Sequence, residues 1–281
     1  MIKKIKLDKI HANLNNPYKF KDDEMEVLMD SIKEYGIIQP LLVRKEENDT
    51  YEIISGHRRF LAATRLELKD VPVDVLEISK DEADILLVDS NLHRENISIS
   101  EKAFAYKLKF EALKNQGKRT DLTSSQVGTK LRTDEEMAKA VGESRNQIQR
   151  YIRLTNLFPE LLQLVDDGKI AFTVAVELSY LSKDEQTQLY ETIQSEDCTP
   201  SLSQAQQMKK LSQTEDLDAD KIFEIMTQPK ANQKETFKVP LDKVKEIYPR
   251  IQTVKDAEDF ISKACQYYAR YLMRQRDRGD R

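Results

Sequence analysis

Tyr51-Glu-Ile-Ile-Ser-Gly-His-Arg-Arg-Phe-Leu-Ala-Ala63 decides the fold class of the first third of the chain. Tyr51 to Ile54 is a short β-type run. Ser55-Gly56 ends it, and two adjacent arginines then open a helical pattern over 57–66. The first turn of a helix carries unpaired N–H groups and partial positive charge, which makes it a natural anion site. Gly56 lets a ligand approach the backbone closely. Arg58 and Arg59 add forked donors that match phosphate.

The flanking sequence extends this unit. Met25, Leu28, Met29 and Ile32 fall at helical spacing within 22–35, and Gly36 follows as a helix-ending residue. Leu41-Leu-Val43 and 71–76 read as strands, the second with Pro72 at its start or on an edge. Residues 81–91 read as a helix, which completes a small mixed α/β domain over 1–96.

From 97 to 213 the pattern is all helical. Ser98-Ile-Ser-Glu101 is a capping box opening a helix through Leu113, and Thr133-Asp-Glu-Glu136 is a second. Residues 120–130 are polar and read as a loop or short helix, and further helices are expected at 144–156, 159–166, 171–180 and 183–194. A turn over 195–203 precedes another helix. The third segment, 216–281, follows the polar run Ser212–Leu217 and holds a strand candidate, Thr236–Val239, and a long final helix. In that helix Val254, Ala257, Ile261, Ala264, Tyr268 and Tyr271 recur in steps of three and four. So short a segment has little core of its own, so this seam is expected to pair two copies as a homodimer. Arg274, Arg276, Arg278 and Arg281 give the end a basic character suited to non-specific DNA contact. The fold class expected is α+β, mainly helical: a mixed N-terminal domain, an all-helical middle domain and a small C-terminal dimerisation segment.

Bulk composition narrows the function classes. One third of the 281 residues are charged, 33%, and the net charge is −4. That argues against coating nucleic acid through bulk charge, but it leaves room for a local basic face. No run approaches the roughly 18–20 apolar residues of a membrane span. Met1-Ile-Lys-Lys-Ile-Lys-Leu-Asp8 lacks the apolar core of a signal peptide. Cys198 and Cys265 have no metal spacing. A reduced cytoplasmic protein with no membrane association is expected.

Residues 134–153 carry the second motif. Small Ala138 sits where two helices must come close, Gly142 follows where the turn needs a permissive backbone, and Ile148 returns to the core. This is a helix-turn-helix spacing. Ser144 reads as the cap of the second helix. Arg145, Asn146, Gln147, Gln149, Arg150 and Arg153 would face outward, with no acidic residue among them. Arg and Asn/Gln pair bidentately with guanine and adenine edges. Lys130 and Arg132 upstream could hold phosphates and set register.

The order of Gly36-Ile-Ile-Gln-Pro40, Gly56-His-Arg-Arg59, Ser90-Asn-Leu-His-Arg-Glu95 and the helix-turn-helix resembles the ParB-type partition family over about 1–215. The resemblance implies a domain that binds CTP with magnesium. Ser55, Gly56, His57, Arg58 and Arg59 would meet the phosphates, and Gly36, Gln39 and Pro40 would shape the pocket. Asn91 would contact the metal or a phosphate, and Arg94 would couple nucleotide to DNA-binding region. The family usually has Glu where this chain has His57 and Ser90. Serine is a poor magnesium ligand, so the resemblance implies CTP binding with at most weak CTP hydrolysis. Asp89 adjoins Ser90 but would point about 100° away on a helix.

The family also implies double-stranded DNA with an inverted-repeat site as partner, association with the nucleoid or a plasmid, and a ParA-type ATPase partner. The ATPase-stimulating peptide would have to be Met1–Lys6. Alternatives are a site-specific transcription regulator or nucleoid-occlusion relative, and a DNA nuclease. The boxes lack the clustered carboxylates a nuclease needs.

Overall fold

The computed structural model describes residues 2–18, 25–92, 94, 97–121, 133–228, 239–251 and 253–279. The chain divides into two compact units, Met1–Gln228 and Pro229–Arg281.

In the first unit β1 (Ile2–Lys6), β2 (Ile10–His11), β3 (Leu41–Lys45), β4 (Tyr51–Ser55) and β5 (Asp70–Leu76) form one mixed sheet in the order β1-β5-β3-β4-β2. β1 pairs antiparallel with β5, β5 parallel with β3, β3 antiparallel with β4 and β4 parallel with β2. β4 is buried at every position from Tyr51 to Ile54, so the sheet is covered on both faces there. Side chains alternate across a strand. Ile53 therefore joins an apolar cluster with Leu41, Val43 and Ala63, and Ile54 joins another with Ala83, Leu87 and Val88. Those partners come from β3 and from α2 (His57–Arg65) and α3 (Lys80–Asn91). α1 (Met25–Tyr35) ends at Gly36, whose φ is +70° and whose N–H donates to Ile32 O at 2.9 Å. That left-handed cap is the conformation glycine adopts without penalty.

Two features bear on the sequence reading. Residues 2–6, read as a basic peptide for an ATPase, form the edge strand β1, and Ile5 is buried in the sheet core. β5 lies inside the sheet, so of the two placements that Pro72 favoured, it takes the one near the strand's start. Its pairing with β3 begins at Val73, one residue after the proline, so the missing N–H falls outside that ladder.

The helical part follows as α4 (Ile99–Asp121), α5 (Thr133–Val141), α6 (Arg145–Leu154), α7 (Pro159–Asp166), α8 (Phe172–Leu178), α9 (Lys183–Glu196), α10 (Leu202–Gln213) and α11 (Ala219–Thr227). The Ser98–Glu101 capping box forms: Ser98 N–H donates to Glu101 Oε2 at 2.9 Å, and Glu101 N–H donates to Ser98 Oγ at 3.2 Å. α4 runs past Leu113 through Gly117 to Asp121. One internal glycine costs a helix only about 1 kcal/mol. Thr133 already lies inside α5, and the side chains of Thr133 and Glu136 are outside the described residues; of the loop or short helix expected over 120–130, residues 120 and 121 continue α4 and 122–130 lie outside the described residues.

α11 moves the expected boundary. Asp218 caps it by accepting from Lys221 N–H at 2.8 Å. Ile222, Ile225 and Met226 then enter the same core as Leu161, Leu178 and Leu189. Buried Gln204 on α10 donates to Ile225 O at 2.7 Å. The helical core thus continues to Thr227, beyond the polar run at 212–217.

The second unit holds α12 (Leu241–Ile247) and α13 (Val254–Gly279) around Val244, Ile251 and Ala257. The strand candidate at 236–239 lies outside the described residues except Val239, which has no regular structure. Among the described residues no helix is long and apolar enough to cross a membrane.

Candidate nucleotide cleft and nucleic-acid interface

The three N-terminal boxes meet at one cleft of about 370 Å³. Gln39 and Pro40 from the first box, Ser55 and Arg59 from the second and Ser90 from the third line it. Ile2, Leu42 and Asp74 line it too and were missed from sequence. The alternation of Leu41–Val43 and Val71–Leu76 marks both strands, but nothing local says that they lie side by side.

Gly56 is the N-cap of α2 at φ +100°, and no side chain caps that helix start. A helix start without a side-chain cap is a setting in which backbone N–H groups take anions. Arg59 spans the boxes: its Nη1 donates to the carbonyl oxygen of Gln39 and to that of Pro40, the latter at 2.7 Å. It was expected on the triphosphate. Here Nη1, which carries two of its five N–H donors, is spent on holding the Gly36–Pro40 loop against α2. Burial pushes its guanidinium pKa down from the ordinary value. Arg58 is half-buried on the same first turn. Gly36 does not line the cleft; it ends α1.

His57, expected at the phosphates, is buried instead. Residue 57 is the first of α2. Burial, aided by the charge of Arg94 and opposed by that of Glu52, pushes its imidazole pKa down from 6.5 to about 4. Between those two values the unfolded chain binds more protons than the folded one. Stability from this group is therefore complete above 6.5 and is lost as the pH falls toward about 4. The urea midpoint of His57→Gln should fall less over that interval than that of the unsubstituted chain. Equal falls would remove His57 from the acid response.

The third box is partly committed to its own helix. Asn91 Nδ2 donates to Leu87 O at 2.8 Å and to Ser90 Oγ at 3.1 Å, and Ser90 Oγ donates to Leu87 O at 3.0 Å. A metal contact through Asn91 would need its amide to turn. Asp89 is bound to Lys109 of α4, away from the cleft. Arg94 lies 6.0 Å from the ring of Tyr18. Among the described residues no three His, Cys, Asp or Glu side chains cluster as metal ligands. Among the described residues Asp74 is the one carboxylate lining the cleft, so these side chains do not form a magnesium site by themselves.

α5 and α6 form the helix-turn-helix. Gly142 turns the chain at φ +75°, and Ser144 Oγ accepts from Gln147 N–H at 3.2 Å. Ile148 is fully buried with Met137 and Tyr106. Asn146 and Gln149 are exposed, and Gln147 is partly so. Arg145 is exposed as expected and Arg150 and Arg153 are half-buried, and all three already have partners. Arg145 Nε lies 3.0 Å from Asp134 Oδ2, tying the start of α6 to α5. Arg150 lies 5.0 Å from the ring of Phe172. Arg153 stacks 4.0 Å over Tyr180, and its Nη2 donates to Ser179 O at 3.1 Å, so it docks α6 on α8. On this helix Arg145, Asn146 and Gln149 are exposed and Gln147 and Arg150 half-buried. Lys130 and Arg132 lie outside the described residues.

A mixed α+β domain with a cleft beside the start of α2, followed by a helix-turn-helix in an all-helical domain, defines the two-part class of this chain. The ParB N-terminal domain model matches residues 1–92, and the ParB HTH domain model matches 127–214. Together they span more than half of the chain, and the chain belongs to the ParB-type partition protein family.

Among relatives, the chromosome-partitioning protein Spo0J of Thermus thermophilus is 35% identical over 168 residues, 59% of this chain and 55% of that protein. A nucleoid occlusion protein of Listeria monocytogenes is 31% identical over 186 residues, 66% of this chain and 59% of that protein. The chain thus spans little more than half the length of these relatives. A C-terminally truncated chromosome-partitioning protein ParB from Caulobacter crescentus, solved with CTP-gamma-S, is 26% identical with a TM-score of 0.32, covering 66% of this chain and 96% of that one.

Proposed function

We propose that the chain is a sequence-specific DNA-binding partition protein whose N-terminal domain binds CTP. α6 would enter the major groove and read one half of an inverted repeat. Two such helices one DNA turn apart, about 34–36 Å, suit a symmetric site. The observation that carries this reading is the closed helix-turn-helix built on Gly142 and Ile148, with Asn146 and Gln149 left exposed on its second helix.

The domain roles follow the sequence expectation: nucleotide binding in 1–96, DNA reading in 97–213 and pairing of two copies in the C-terminal part. α13 supports the last, because it exposes Tyr267, Tyr268, Tyr271, Leu272 and Met273. Exposed aromatic and apolar residues gathered on one helix mark a contact surface.

In the cleft, α2's opening N–H groups and Arg58 would take the phosphates, while Arg59 would hold the Gly36–Pro40 loop. Ser90 lines the cleft where the family usually has a carboxylate. A hydroxyl cannot serve as a magnesium ligand or base of comparable strength, so binding with little or no hydrolysis is the proposed behaviour. The proposed setting is the cytoplasm, on a nucleoid or plasmid, with an ATPase of the ParA type as a further partner.

The test is selection of duplexes from a randomised pool, followed by sedimentation of the complex. An enriched inverted repeat bound by two chains is expected. Enrichment of no sequence would overturn the DNA-reading role, and metal-dependent cleavage of the pool would revive a nuclease.

A further inference from the structure

Lys102 lies on the first turn of α4, close to the proposed reading helix. A lysine there would ordinarily be taken for a phosphate contact. The structure turns it inward. Its Nζ is bound to Oε1 of Glu143, the residue between Gly142 and Ser144 in the turn that launches α6. The ammonium also sits 4.8 Å over the ring of Tyr151 on α6 and 5.5 Å over that of Tyr106 on α4. Those two rings pack edge to face at 5.4 Å, and Tyr106 is fully buried. The side chains of Lys102 and Glu143 are only 27% and 24% exposed, so the pair is substantially shielded from water. Removing one partner of a shielded pair leaves an uncompensated charge, so the turn would move to rehydrate it.

We infer that Lys102 and Glu143 are a positioning pair for the DNA-reading helix: they fix the turn before α6 against α4 and so set the angle at which Asn146 and Gln149 reach the bases. Neither touches DNA. The inference rests on the reading of α6 as the DNA-contacting helix, and it goes further by naming residues that govern specificity from outside the interface.

The experiment uses the full chain. A duplex is first enriched from a randomised pool with the unsubstituted protein, and a scrambled duplex of the same composition serves as reference. Lys102→Met and Glu143→Gln should weaken binding to the enriched duplex by about tenfold or more, the scale of one lost base contact. Affinity for the scrambled duplex and its salt slope should stay unchanged, and Lys102→Arg should retain the enriched-duplex affinity. Should Lys102→Met lose helicity by circular dichroism, Glu143→Gln, which keeps the side-chain shape, carries the same comparison. If Lys102→Met weakens both duplexes alike and lowers the salt slope by about one, Lys102 is a phosphate contact and the inference is overturned. Unchanged affinity for the enriched duplex in both variants overturns it as well. Failure of the unsubstituted chain to enrich any duplex would overturn the DNA-reading proposal itself, and this inference with it.

Discussion

Gly56→Ala is expected to abolish nucleotide binding. Gly56 caps α2 at φ +100°, where an L side chain is strained by about 1–2 kcal/mol. The added Cβ would also fall 3.0 Å from Arg59 Nη2, 3.1 Å from Arg59 Cζ and 3.3 Å from Leu41 Cγ. An arginine end can usually move aside. This one is held by the carbonyl oxygens of Gln39 and Pro40, so shifting it disturbs the first box as well as the second. The helix start would lose its geometry and the cleft its shape together. Calorimetry should show nucleotide affinity reduced at least about 100-fold, by analogy with the 2–5 kcal/mol lost when a buried hydrogen-bonded charge contact is broken. Circular dichroism should show retained helix, because the helical domain is remote from this position in sequence. Wild-type affinity in the variant would mean that the ligand does not use the start of α2.

Ile148→Ala is expected to produce the largest loss of stability. The side chain is fully buried against Met137 and Tyr106, in a cluster that also receives Phe110, Val141 and Ile152. Truncating a buried isoleucine to alanine costs about 2–5 kcal/mol, through lost transfer energy and the cavity left behind. Total stabilities of domains lie near 5–15 kcal/mol, so the loss is a large share. Urea unfolding followed by circular dichroism should show a lower midpoint at unchanged slope. Gln149→Ala, one residue on but exposed, is the control. It should leave the midpoint in place while costing about 1–3 kcal/mol of discrimination between DNA sites. An unfolding free energy for Ile148→Ala within about 0.5 kcal/mol of the unsubstituted chain would show that the helix-turn-helix does not depend on this core.

What was legible in the sequence was local. Gly36, Gly56 and Gly142 each announce a chain reversal, and each takes positive φ where the reversal falls. Helices with apolar spacing were legible for the same reason, since their pattern is set within a dozen residues. β1 escaped because Ile2-Lys-Lys-Ile-Lys6 is short and rich in lysine; only its pairing with β5, nearly seventy residues on, makes it a strand. α11 escaped because a polar run reads as a linker whether or not the helix after it packs back onto the core.

The site was legible in its parts list and less so in its roles. Long side chains choose partners that the local sequence does not reveal. Arg145 finds Asp134 on the preceding helix, Arg153 finds Tyr180 and Ser179, and Arg59 finds two backbone carbonyls of the first box. A sequence shows that an arginine is on the right helix, but not whether its donors are already taken. The same holds for His57, whose burial and whose nearness to Arg94 in the fold, not its neighbours in sequence, push its pKa down.

The most direct test of the account is calorimetric titration of the full chain with CTP, ATP, GTP and UTP, each with magnesium. Saturable binding of CTP in preference to the other three is expected, with Gly56→Ala binding none of them. Heat of binding for no nucleotide, or equal binding of all four, would contradict a CTP-selective cleft and leave a helix-turn-helix protein whose N-terminal domain serves some other end.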